Sequence, residues 1–102
     1  IQYQGKWYEE SLIIGIDKII YPWKHPSVAD LEVSDFESAF EGNTEVILLG
    51  TGKKQVFPDA HLVTKILKRG VGIEVMDSKS ACRTFNLLVS EYRRPLAMLM
   101  LE

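Results

Sequence analysis

Short continuous apolar runs and helical stripes alternate through the second half of the chain. The clearest run is Val46-Ile47-Leu48-Leu49, too short for a buried helix, stopped by Gly50 and Gly52 and followed by Lys53 and Lys54. A run without polar alternation predicts a central strand covered on both faces, as in a parallel sheet with helices on each side. The carboxyl end of such a strand is where ligands usually bind. Pro58 and Asp59 then suit the first turn of a helix over Asp59–Arg69, with Leu62, Val63, Ile66 and Leu67 along one face and Gly70 just past its end. Val71–Met76 predicts the next strand and Ser78 an N-cap. Lys79–Tyr92 predicts a helix with Ala81, Phe85, Leu88 and Tyr92 toward the core, and Leu96–Leu101 a last apolar strand. Three strands joined by two helices make a βαβαβ section with right-handed crossovers.

The first half has a different grain. Ile1–Tyr8 and Leu12–Ile20 are rich in β-branched and aromatic residues and are broken at Gly5-Lys6 and Glu9-Glu10-Ser11, so they predict antiparallel strands that extend or flank the sheet. In Tyr21-Pro22-Trp23-Lys24-His25-Pro26-Ser27 the two prolines block a helix and remove ladder donors. That predicts an extended loop displaying Trp23, with His25 as a turn residue. Ser34 and Glu37 form a capping-box pair for a short helix through Phe40, with Leu31, Phe36 and Phe40 as its buried stripe and Gly42-Asn43 as its stop. Together these elements predict a single α/β domain of three layers over residues 1–102, a β-rich section followed by βαβαβ.

Composition narrows the class. At 102 residues and 46% hydrophobic content the chain can bury a core without disulfides. The lone Cys82 has no internal partner, and neither it nor the two histidines has metal-ligand spacing, so no disulfide, metal or cofactor is expected. No run approaches the roughly 20 apolar residues of a membrane helix. A soluble protein is expected, cytoplasmic in a bacterium. The chain opens inside a strand-like stretch, so a leader or targeting segment upstream stays open.

The formal charge of −2 is unevenly spread. Three lysines face nine acids before Lys53, and nine basic residues face five acids from Lys53 onward. The basic half carries the glycine loop and suits an anion or an acidic partner surface, although solvated surface accounts for the same asymmetry. With no arginine-rich run and an acidic total, nucleic acid is not an expected partner.

Gly50-Thr51-Gly52-Lys53-Lys54 invites a phosphate reading, but a P-loop needs glycine where Ile47 stands and Ser or Thr where Lys54 stands. A dinucleotide loop needs glycine where Gln55 stands. The two glycines therefore read as marks of positive φ or close chain approach. Cys82 lies about one turn into its helix, where the dipole and Arg83 favour a thiolate, yet its phase sets it beside the core stripe next to Val89. A packed small residue is the favoured reading. Arg83 and Leu87 point off the stripe, and Leu87 is a candidate partner contact beside Trp23.

Three stretches carry a resemblance: Leu49-Gly50-Thr51-Gly52-Lys53-Lys54-Gln55, Arg69-Gly70-Val71-Gly72-Ile73-Glu74-Val75-Met76-Asp77, and Ala81-Cys82-Arg83-Thr84-Phe85-Asn86. They resemble a small domain family of unknown function that includes mitochondrial complex I assembly factor three and an adipogenesis-associated cytosolic protein. The likeness covers nearly the whole chain. It implies a three-layer α/β domain with a mixed central sheet, no established enzymatic activity, and in the mitochondrial branch a part in respiratory-complex assembly. It also implies a mitochondrial location for a eukaryotic member, and it carries over no catalytic residues.

Two functions follow. The first is a non-enzymatic interaction module with a protein partner, respiratory-complex subunits among the candidates, contacted through Trp23 and Leu87. The second is a small-anion binding protein or an enzyme whose pocket lies between Thr51, Gly52, Lys53 and Lys54 and the helix start at Ser78, Lys79, Cys82 and Arg83, where backbone amides would cradle a carboxylate or phosphate.

Overall fold

The apolar run at 46–49 is an inner strand of a five-stranded mixed sheet in the computed structural model, which describes residues 1–101. A small hairpin, β1 (Gln2–Tyr3) and β2 (Lys6–Trp7), opens the chain as a separate two-stranded sheet. The main sheet begins with β3 (Leu12–Ile14) and β4 (Ile19–Ile20). After the proline loop come two 3₁₀ turns and the four-residue helix α1 (Glu37–Phe40). Next are β5 (Val46–Thr51), α2 (Ala60–Lys68), β6 (Gly72–Met76), α3 (Ser78–Ser90) and β7 (Pro95–Met100).

The sheet order is β4-β3-β7-β5-β6. β7 pairs antiparallel with β3 and parallel with β5, so it is the seam between the antiparallel and parallel halves. The expected βαβαβ section is present. The middle place, however, belongs to β7; β5, read from sequence as the central strand, lies one step off it, between β7 and β6.

β5 shows why its sequence lacks alternation. Ile47 and Leu49 join one apolar cluster while Val46 and Leu48 join the other, on the opposite face. The first cluster is roofed by Leu62 and Ile66 of α2, by Leu31, Phe36 and Ala39, and by Trp23 of the proline loop. The second is roofed by Ala81 and Phe85 of α3 and by Tyr8 and Tyr3 of the hairpin. Successive side chains of a strand point to opposite faces, so a strand between two roofs must be apolar at every position. Three layers result, as expected. No helix among the described residues is long and apolar enough to cross a membrane.

Several local expectations are corrected. Trp23 is not displayed: it is 8% exposed, its backbone N–H donates to the Ser11 carbonyl at 2.7 Å, and its ring centroid lies 4.5 Å from that of His25. The prolines keep the loop out of the ladder but lay it across the sheet, where a large ring is worth burying. His25 is a turn residue with both ring nitrogens engaged, Nδ1 with the Pro26 carbonyl at 2.7 Å and Nε2 with Ser11 Oγ at 2.8 Å. Ser34 does not open the short helix; the reciprocal pair is Glu32 and Asp35, whose carboxylate accepts the Glu32 N–H at 2.8 Å.

On α2, Leu62 and Ile66 are buried as expected, whereas Leu67 is exposed, one step round the helix from them. The last helix stops at Ser90, and Tyr92 enters the left-handed region at φ 62°, which swings its ring out to 95% exposure rather than into the core.

Candidate functional site

Gly50 closes the apolar part of β5 against the start of α3. A Cβ placed there would sit 2.8 Å from Ser78 Cα, so only glycine lets strand and helix approach this closely. Gly52 has φ +92°, which a side chain rarely tolerates, and this turn brings its backbone over Ser78. Close approach and positive φ, both expected of the glycine pair, thus occur one at each position.

The joint is tied from both sides. The Ser78 N–H donates to the Gly52 carbonyl at 2.8 Å, and the Gly52 N–H donates to Ser78 Oγ at 2.9 Å. Ser78 Oγ in turn donates to the Met100 carbonyl of β7 at 2.6 Å. One buried hydroxyl therefore links the ends of β5, β7 and α3. Ser78 is not the N-cap of the helix; Asp77 is, accepting the Ser80 N–H at 2.9 Å and the Ser80 hydroxyl at 2.7 Å. Those bonds hold the Asp77 carboxyl below its ordinary value. Its stabilising share is present above the usual carboxylate range and is lost as pH falls through the lowered value. Thr51 is also buried: its hydroxyl donates to the Lys54 carbonyl and accepts the Val56 N–H at 2.9 Å, folding the loop back on itself.

Around this joint lies a cleft of about 590 Å³. Gly52, Lys53, Ser78 and Lys79 line it, so the structure brings together the glycine loop and the helix start that the sequence set opposite each other. Lys54, Cys82 and Arg83 are not among its lining residues. Arg83 is exposed one turn farther along α3, donating to Ser80 Oγ at 3.0 Å. Leu87 is 57% exposed on the same helix, and Trp23 belongs to the core of the opposite face. The residues that sequence reasoning missed are Ile1, Trp7, Tyr8 and Glu9 of the hairpin region, Asp77, and Met100 and Leu101 at the end of β7. Only the aromatic pair Trp7-Tyr8 is a signal in the sequence, and its β-rich setting predicts a strand there.

The site's chemistry is set by what is already bonded. The hydroxyls of Ser78 and Thr51 and the amides of Gly52, Ser78 and Ser80 all have partners within the fold. Beside these bonded groups the cleft is lined by apolar side chains, by Lys53 and Lys79, and by the carboxylates of Glu9 and Asp77. Among the described residues no group of three or more His, Cys, Asp or Glu is placed to hold a metal ion.

Cys82 is half-buried against the α3 face of the sheet. Burial pushes its thiol above the ordinary value, against the pull of the Arg83 guanidinium. A raised thiol pKa favours the fold below the unfolded pKa of about 8.5, and that share is lost as pH rises through the folded value. A thiol reagent at neutral pH is expected to modify native protein much more slowly than the unfolded chain, and Cys82→Ser to lower stability without loss of partner binding. A native rate equal to the unfolded one would place Cys82 in an open electropositive setting.

Over 87 residues, 84% of its length, the chain is 34% identical to the 13 kDa major membrane protein of Francisella tularensis subsp. holarctica (strain LVS), of which it covers 71%. Over 82 residues, 78% of its length, it is 37% identical to NADH dehydrogenase (ubiquinone) 1 alpha subcomplex assembly factor 3 of Danio rerio, of which it spans 47%, about half. A Xanthomonas campestris protein solved by NMR superposes with a TM-score of 0.83 at 34% identity, over 95% of this chain and 74% of that one. The model of the family described as "Protein of unknown function (DUF498/DUF598)" matches residues 1–100, and the chain belongs to that family.

Proposed function

We propose that the chain acts as a non-enzymatic protein-interaction module of the assembly-factor kind, with respiratory-complex subunits as its partners. The observation that carries this reading is the 37% identity to a complex I assembly factor over 78% of the chain. The geometry supports it, because the Thr51 and Ser78 hydroxyls at the cleft donate to backbone carbonyls and are tied into the fold. A partner surface is offered by the outer face of α3, where Leu87 stands exposed, and by the basic second half of the chain. An exposed leucine that becomes central to an interface contributes enough for its loss to be read in binding.

Affinity purification from the source cell tests this. The unaltered chain is expected to recover respiratory-complex subunits, and Leu87→Asp to reduce that recovery roughly tenfold without loss of folding. Recovery of no partner, together with turnover of a small molecule by the purified chain, would reverse the assignment.

A further inference from the structure

The cleft at the carboxyl ends of β5 and β7 has one apolar wall and a cationic rim. The wall is made by Tyr8, Met100, Leu101 and the Trp7 indole, which remains 64% exposed although it faces a cavity. Lys53, from the loop after β5, and Lys79, from the first turn of α3, reach the rim from different elements. Neither ammonium group forms a salt bridge with a carboxylate among the described residues. Two carboxylates also border the cleft. That of Asp77 is occupied by Ser80, and that of Glu9 stands on the hairpin side.

A compact anion such as phosphate is poorly served here, because the Gly52, Ser78 and Ser80 amides that would cradle it are bonded within the fold. A carboxylate on an apolar body is well served. Its charge meets two ammonium groups, and its body covers the Trp7 indole that water otherwise wets. The exposed Trp7 indole favours an aromatic body, through ring stacking. A cavity of about 590 Å³ is within the range of small-molecule pockets. We propose that this cleft binds a small aromatic organic acid, its ring against Trp7 and its carboxylate paired with Lys53 and Lys79. The assignment stands apart from protein recruitment and does not depend on it.

The test compares two probes of one shape, 2-naphthylacetate and 2-(2-naphthyl)ethanol, titrated into the purified chain by calorimetry. The acid is expected to bind at least about fivefold more tightly than the alcohol, the effect of two exposed ion pairs. The double variant K53Q/K79Q is expected to abolish that preference while leaving alcohol binding in place. Glu9→Gln is expected to strengthen acid binding about twofold by removing a like charge. Trp7→Ala should weaken acid and alcohol alike, with Trp23 fluorescence reporting that the fold is retained. Equal affinity for acid and alcohol, no binding of either at millimolar concentration, or an acid preference that survives K53Q/K79Q would overturn the proposal.

Discussion

Phe85→Ala is expected to lower the unfolding free energy by about 3–5 kcal/mol, the range for truncating a buried aromatic ring. Phe85 is 1% exposed and packs in the cluster of Leu12, Leu48, Ala97 and Leu99 beneath α3. Its ring meets that of Tyr3 edge-on, with centroids 6.0 Å apart and planes at 72°. The space cannot collapse easily, because the neighbouring α3 contact is the small Ala81 and the floor is a strand fixed by pairing on both sides. Arg83→Ala, two residues earlier, removes one exposed hydrogen bond to Ser80 and should cost less than about 1 kcal/mol. Denaturant midpoints at equal slope decide between the two. Comparable losses would mean that α3 buries a different face.

The second large effect is expected at Ser78, where Ser78→Ala should cost about 2–4 kcal/mol. Its hydroxyl is the acceptor for the Gly52 N–H and the donor to the Met100 carbonyl, and both bonds are buried. Alanine leaves a backbone donor and a backbone acceptor without partners, each at about 1–3 kcal/mol, with partial relaxation setting the lower total. Relaxation is limited, since the van der Waals gap between Gly50 and Ser78 is already closed. Denaturation gives the size of the loss, and amide exchange identifies its place: the Gly52 amide should exchange faster in the variant while amides of β3 keep their relative protection. A loss below about 0.5 kcal/mol with unchanged Gly52 exchange would mean that the three-way joint does not hold in solution.

The residues differ in how openly they declared their roles. The run at 46–49 was legible because its lack of alternation has one physical cause, apolar contact on both faces of a strand. Asp59 before Ala60, and the apolar spacing of Leu62 and Ile66, announced α2 through effects confined to a few neighbouring residues. The helical stripe of α3 is legible through Leu88 and fails at Tyr92, because periodicity extends a phase without marking where the helix ends. Trp23 was misjudged for a related reason: prolines describe the backbone's local path and say nothing about which surface that path crosses. Trp7 reached the cleft only because the hairpin lies beside the end of β7, a placement that no local signal in Ile1–Tyr8 expresses.

By itself the sequence determined the elements whose energetics are local: the apolar strands, two amphipathic helices, and glycines where the chain must turn or approach closely. Hydrophobic spacing, capping and backbone preference act over a few residues, so they can be read in order along the chain. Only the tertiary structure decided that β7 takes the middle of the sheet, through pairing of Leu12 with Leu99. It alone decided that the Ser78 hydroxyl bonds Gly52 and Met100, and that Trp7, Lys53 and Lys79 border one cleft. These outcomes rest on contacts between residues far apart in sequence, whose energy exists only once the chain has closed the loops between them.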